Sequence, residues 1–128
     1  MRKIALAFAS AALGLGATTA VAPAASGPSL SASPNPISFG QTQTITGKRW
    51  PVIEFCKKRV RLTLQSAQNE YFVGHALIKS NGRFVRRWVP KRSNVGAGRW
   101  KLTARLRCES GKDGSTVFVR RSVSIRIR

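Results

Sequence analysis

The side chains that most often perform catalysis are scarce in this sequence. Its single histidine, His75, lies between Gly74 and Ala76 with no acid nearby in sequence, whereas a hydrolytic triad needs a base and a nucleophile within hydrogen-bond reach. We therefore interpret His75 as a packed or half-exposed strand residue. The four acids, two of which share one glycine-rich loop, offer no recognisable carboxylate pair. The sequence predicts a protein that is not an enzyme, with no catalytic residue, no metal site and no cofactor.

The first 24 residues have the three parts of a secretory signal peptide. The cations Arg2 and Lys3 precede an apolar stretch over 4–15, and a tail of small residues ends at Ala24. A membrane-spanning helix needs about 20 apolar residues, so a retained anchor is the weaker alternative. We expect cleavage after Ala24 and a secreted, extracellular product, with association with the cell envelope left open.

Export would place both cysteines of the chain in an oxidising compartment. An even number of cysteines there is typical of a disulfide, so we expect Cys56 and Cys108 to form one intramolecular bridge. The alternative is a pair of free or metal-binding thiols. It is disfavoured because zinc takes four ligands and only His75 is available to help.

Apolar residues at every second position predict β-strands along the rest of the chain. The alternation is clearest in segments 59–64, 99–108 and 117–127. In the last of these Arg121 interrupts the pattern, which suggests a β-bulge at that residue. No stretch shows the three-and-four spacing of an amphipathic helix, so an all-β chain is expected.

Two further strands are predicted on either side of a turn signal. Segments 71–78 and 84–89 flank Asn81-Gly82, and Asn-Gly between apolar runs is the strongest short-range hairpin signal. We therefore expect these two strands to be neighbours in one sheet. With a weaker strand over 41–46, the number and spacing of strands favour an antiparallel sandwich over a closed barrel.

The chain without its signal has the length of one domain. Residues 25–36 are rich in Ser and Pro, which predicts a linker that continues into an edge strand, because prolines are tolerated there. Residues 37–128 are then expected to form one β-sandwich domain.

Short motifs along the chain resemble a known family. Ser33-Pro34-Asn35-Pro36 is followed by the Gly40–Gly47 segment, the turn Asn81-Gly82-Arg83-Phe84, and the Gly96–Ala104 segment, with Trp100 at a position that usually holds Tyr. This order resembles the secreted immunoglobulin-like modules common in actinobacteria. The resemblance implies a bacterial, immunoglobulin-like antiparallel sandwich of about seven strands. It supports the fold far better than a function.

The cations are numerous, and their positions matter more than their number. The chain carries 23 Lys and Arg against four acids, a net charge of +19. In an immunoglobulin-like sandwich the third, penultimate and last strands share one sheet, so the outward residues of segments 59–64, 99–108 and 117–127, with Arg128 directly after the last, should lie on one face. These outward cations are Arg59, Arg61, Lys101, Arg105, Arg107, Arg120, Arg126 and Arg128.

A face of this kind predicts a binding protein for anionic polymers or an anionic cell surface. Like charges opposite each other destabilise a sheet, and Arg suits bidentate recognition of phosphate and carboxylate. Wall polymer, anionic lipid, acidic polysaccharide and nucleic acid are the candidate ligands. Three alternatives remain: a basic surface that reflects composition alone, a structural or adhesive protein that contacts a protein partner, and a cationic antimicrobial protein, disfavoured by the lack of an amphipathic helix.

Overall fold

The computed structural model describes residues 27–110 and 113–128, and in this part of the chain the regular elements are seven β-strands with no helix. The predicted signal peptide lies outside the described residues. Two antiparallel sheets form, of three strands in the order β1-β2-β5 and of four strands in the order β4-β3-β6-β7. The strands are β1 (Ser29–Ser33), β2 (Gln43–Lys48), β3 (Arg59–Gln65), β4 (Glu70–Leu77), β5 (Phe84–Trp88), β6 (Gly98–Glu109) and β7 (Thr116–Ile127).

The two sheets share one apolar core, which is formed by the apolar side chains at every second position of the strands. Leu62 on β3 and Leu102 on β6 are fully buried, as are Ile45 and Phe84 from the three-stranded sheet. The buried polar side chain of Gln43 is satisfied at both ends: its Nε2 donates to the carbonyl of Pro34 over 2.8 Å, and its Oε1 accepts from Nε1 of Trp88 over 2.8 Å. The predicted all-β fold and the inward faces of segments 59–64 and 99–108 are confirmed.

The predicted disulfide between Cys56 and Cys108 is also confirmed. Cys56 lies in the loop before β3 and pairs with Cys108 near the end of β6, so the bridge ties this loop to the four-stranded sheet. Backbone hydrogen bonds continue the attachment on both sides: Lys57 N–H donates to the carbonyl of Arg107 over 2.9 Å, and Glu109 N–H donates to that of Phe55 over 2.8 Å.

The predicted hairpin of segments 71–78 and 84–89 is wrong, although both strands and the turn exist. Gly82 has a φ of 81° and its N–H donates to the carbonyl of Lys79 over 2.9 Å. The turn carries the chain from one sheet to the other, because β5 pairs with β2 and β4 pairs with β3. A distant contact fixes this course: Trp50 N–H donates to the carbonyl of Gly82 over 3.0 Å.

The bulge predicted at Arg121 is wrong as well. β6 and β7 pair without a shift over all twelve residues, and Arg121 lies opposite Ala104 on the inward side. Its guanidinium leaves the interior, because Nε donates to the carbonyl of Pro28 over 2.9 Å at the open edge between the sheets. A register shift occurs instead between Leu62 and Thr63, where β3 pairs with β4.

Candidate functional site

The four-stranded sheet brings three arginines together as direct cross-strand partners. β3, β6 and β7 share this sheet, as expected, and Arg61 pairs with Arg105, which pairs with Arg120. Neighbouring strands lie about 4.8 Å apart, so the three guanidinium groups project side by side from the outer face. His75 on β4 pairs with Arg61 and extends the line. We call Arg61, Arg105 and Arg120 the arginine row.

A line of hydroxyl side chains runs parallel to the arginine row, two residues away along each strand. Thr63 pairs with Thr103, and Thr103 pairs with Ser122. The hydroxyls of Thr103 and Ser122 lie 2.9 Å apart. Together with the arginine row, Lys101 and Glu70 line the depression above these hydroxyls. Its lining therefore combines positive charge with neutral donors, and Glu70 is the single acid along it.

A second depression lies on the other side of the arginine row. Arg61 and Arg105 line both depressions and so form the ridge between them, whereas Arg120 lines the first depression alone. The residues that complete the second lining are Lys57, Arg59, His75, Arg107 and Phe118. A chain-like anion lying across the sheet would thus meet cations on the ridge and on both sides.

Aromatic rings orient the guanidinium groups of the arginine row. Cζ of Arg61 lies 4.3 Å from the centroid of the Phe72 ring, and Phe118 lies between Arg105 at 4.7 Å and Arg120 at 5.3 Å. Stacking of this kind uses the flat face of the guanidinium and leaves its N–H edges available. Within the described residues these three guanidinium groups donate no hydrogen bond to the protein. Each therefore has five N–H donors that an anion can use.

Other arginines have structural hydrogen bonds, which sets them apart from the arginine row. Nε of Arg49 donates to the carbonyl of Gly27 over 3.0 Å, and a guanidinium nitrogen of Arg86 donates to that of His75 over 3.2 Å. Arg121 bonds Pro28 in the same way. Arg86 and Arg121 thereby connect the two sheets, whereas Arg49 connects the ends of β1 and β2 within the three-stranded sheet.

The remaining predicted site residues are spread more widely. Arg59 and Arg107 line the second depression and Lys101 lines the first. Arg126 lies opposite Arg99 at the far end of the β6–β7 pair. Arg128 follows the end of β7, where its N–H donates to the carbonyl of Ile37 over 2.9 Å.

Sequence reasoning missed three basic residues of this face. Arg99 has the outward position in the alternation of β6 and pairs with Arg126, so the same pattern could have found it. His75 was missed because β4 was expected beside β5 rather than beside β3. Lys57 precedes β3 and joins the second depression because the disulfide-linked loop follows β6, a feature that alternation does not reveal.

One acid has a clearly perturbed pKa. The pKa of Asp113, in the connection between β6 and β7, is lowered mainly because the hydroxyl and the N–H of Ser115 donate hydrogen bonds to its carboxylate. Its negative charge is therefore held by a local turn. Arg105 and Arg120 pair with each other four positions away from the Glu109–Thr116 pair that flanks this turn.

Among residues 27–110 and 113–128, no group of three or more His, Cys, Asp or Glu side chains is placed to hold a metal ion. The same residues include no helix long and apolar enough to cross a membrane. In comparisons with known proteins, no family model, curated protein or solved structure matches this chain.

Proposed function

We propose that this chain is a secreted, non-enzymatic binding protein whose basic sheet face takes up extracellular polyanions. One observation carries the proposal: Arg61, Arg105 and Arg120 are direct cross-strand partners whose guanidinium groups stack on aromatic rings and donate to no described residue. Wall polymer, anionic lipid, acidic polysaccharide and nucleic acid all present the phosphate or carboxylate oxygens that such groups bind.

The cost of this arrangement supports a role in binding. Each pair of like charges directly opposite each other on neighbouring strands destabilises a sheet by up to about 1 kcal/mol. The arginine row contains two such pairs, Arg61 with Arg105 and Arg105 with Arg120. A bound polyanion would relieve this repulsion and form charge-assisted hydrogen bonds, which are stronger than neutral ones. Affinity should therefore depend steeply on salt.

The fold and the leader are consistent with an exported, immunoglobulin-like protein. Placing β3, β6 and β7 in one sheet agrees with that class of sandwich, and the signal-like first 24 residues favour export. One feature differs from antibody domains: the disulfide ties the loop before β3 to β6 of the same four-stranded sheet, whereas theirs joins the two sheets. Association with the cell envelope fits a basic protein among anionic wall and membrane components.

The test compares two triple variants that lose the same charge. The first, Arg61→Ser with Arg105→Ser and Arg120→Ser, removes the arginine row. The matched control, Lys48→Ser with Lys79→Ser and Arg87→Ser, removes exposed cations elsewhere. Elution from heparin and the salt dependence of binding to duplex DNA are measured for both variants, with circular dichroism to verify folding.

We expect the row variant to elute from heparin at much lower salt than the native chain. Its slope of log affinity against log salt should flatten by about 2 to 3, since each lost phosphate contact removes about 0.9. The control should change the slope by less than about 1. Equal losses in the two variants would show that net charge alone governs retention, and would contradict the proposed face.

The structural or adhesive alternative makes a different prediction. β1 and β5 are the edges of the three-stranded sheet, and an open edge can pair with another chain. Arg86 and Arg87 on β5 are exposed charges that oppose such pairing. Concentration-dependent sedimentation in high salt, combined with weak heparin retention, would favour the adhesive role over polyanion binding.

A further inference from the structure

Three large apolar side chains lie exposed within four residues of the loop before β3. Val52 is 52 % exposed, Ile53 58 % and Phe55 55 %. A single exposed apolar residue is ordinary on a protein surface, whereas a contiguous group marks an interaction site. We call Val52, Ile53 and Phe55 the apolar loop.

The apolar loop is held in place from both ends. Cys56 N–H donates to the carbonyl of Ile53 over 3.1 Å, which closes a turn, and Glu109 N–H donates to the carbonyl of Phe55 over 2.8 Å. The disulfide of Cys56 adds a covalent attachment to β6. The side chains are therefore presented on a fixed backbone, so little ordering of the loop would be needed on binding.

Cations adjoin the apolar loop on the side that leads to the arginine row. Lys57, Lys58 and Arg59 follow it directly in sequence, and all three are exposed. Lys57 and Arg59 line the second depression, together with Phe118. Val117, opposite Cys108 on β7, adds another exposed apolar side chain. This end of the molecule therefore combines apolar groups with positive charge.

We propose that the apolar loop inserts into the interface of an anionic lipid bilayer while the arginine row binds its phosphate head groups. This inference rests on the proposed function and selects one ligand among the polyanions. Of the three side chains in the apolar loop only Phe55 could stack on a nucleobase, whereas Val52 and Ile53 could not, and a hydrated wall polymer or polysaccharide offers no apolar phase for any of them. A bilayer of anionic lipids offers both an apolar phase and negative charge.

Glu54 is an acid in the middle of the apolar loop, and the cation Lys58 lies near it. It is exposed and lines a shallow groove together with Lys58, Val52 and Ile53. At the level of the head groups its charge would face water and Lys58. The shallow insertion of a single loop is compatible with an acid at this depth, whereas a membrane-spanning segment would not be.

The test measures binding to vesicles of phosphatidylcholine, alone or mixed with phosphatidylglycerol. The loop variant is Ile53→Ser with Phe55→Ser. Its matched control, Val85→Ser with Val89→Ser, removes two exposed apolar side chains from the region of β5. The arginine-row variant is measured alongside, and heparin elution is recorded for every protein.

We expect the native chain to bind mixed vesicles and to bind neutral ones far more weakly. The loop variant should lose roughly tenfold or more in vesicle affinity, because two apolar side chains no longer leave water. Its heparin elution should stay unchanged, and the control should keep native affinity within about twofold. The arginine-row variant should lose affinity for both vesicles and heparin.

A direct readout of depth complements the affinities. In a Phe55→Trp variant the fluorescence of the new indole should be separated from that of the three native tryptophans by difference, and should be quenched by brominated acyl chains. Heparin retention without any preference for mixed vesicles, or equal vesicle binding by the loop variant, would overturn the lipid inference and leave polyanion binding intact. Absence of both heparin and vesicle binding would overturn the proposed function itself.

Discussion

The outer faces of the two sheets differ in how they arrange charge. On the three-stranded sheet, the cross-strand lines run from Ser31 through Thr46 to Val85, and from Ser33 through Thr44 to Arg87. Along these lines no cation faces another cation. On the four-stranded sheet Arg61, Arg105 and Arg120 are successive partners, and Arg99 pairs with Arg126.

This difference argues against composition as the explanation of the basic face. A chain with a net charge of +19 must expose many cations, but it can place them opposite serine and threonine, as the three-stranded sheet does. The four-stranded sheet instead places arginine opposite arginine, at a cost in stability. Hydroxyls lie next to the arginine row and aromatic rings stack on it, an arrangement suited to an anion.

Removal of the disulfide should have the largest effect on stability, and it should destabilise the four-stranded sheet more than the three-stranded one. The double variant Cys56→Ser with Cys108→Ser opens a link that spans 52 positions of sequence. We expect the free energy of unfolding, measured by urea titration, to fall by about 4 kcal/mol on the chain-entropy account.

Hydrogen exchange in the same variant would sharpen the contrast. The amides of Lys57 and Glu109 bond across the loop and β6, so we expect them to lose protection first. The amides of β2, in the other sheet, should keep theirs until global unfolding. A uniform loss of protection would show that the bridge supports both faces equally.

The next largest effect should come from an arginine that fastens the sheets. Arg121→Ser removes the hydrogen bond from Nε to the carbonyl of Pro28, which precedes β1. Because the donor is charged but exposed, we expect a loss of about 1 kcal/mol in unfolding free energy. Arg83→Ser is the control, since the Arg83 guanidinium is exposed and donates to no described residue, and its change should be within about 0.5 kcal/mol.

Deleting a cation from the opposed pairs should have the reverse sign. Arg126→Thr removes the repulsion from Arg99 and should raise the unfolding free energy by about 0.5 kcal/mol. High salt should reduce the gain, because exposed charges are screened. Arg87→Thr is the matched control on the other face, where the partner is Thr44. Equal changes in both variants would remove the energetic distinction between the faces.

Alternation along the sequence predicted the parts of the fold that depend on local patterning. The inward positions of β3 and β6 follow from it, as does the sharing of one sheet by β3, β6 and β7 once an immunoglobulin-like sandwich is assumed. The Cys56–Cys108 pair was predicted separately, from the number of cysteines and the expected export. Partner choice for β4 did not follow, because Asn81-Gly82 specifies a turn but not what lies beyond it. Phe84 packs on Gly47, where a Cβ would collide with its ring, and such distant contacts decide the pairing.

In the candidate site too, the residues that depend on local alternation were predictable and those that depend on the pairing of β4 were not. The arginine row could be predicted because its members alternate on three strands. The aromatic support from Phe72 and the contribution of His75 could not, because both depend on β4 pairing with β3. Arg121 was misread because a long side chain can start on the inward side and extend its charged end to the edge, where it bonds Pro28.

The smallest effect we predict concerns the ring between Arg105 and Arg120. Phe118→Leu keeps the net charge and an apolar side chain but removes the π face that both guanidinium groups approach. The two side chains should then sample more rotamers, and affinity for heparin or mixed vesicles should fall about two- to threefold, as expected for an exposed cation–π contact. Phe39→Leu removes a similar contact with Arg92. Neither residue belongs to the arginine row, so this substitution should leave the affinity unchanged. Equal effects of the two substitutions would mean that the arginine row needs charge alone, without the orientation that its ring supplies.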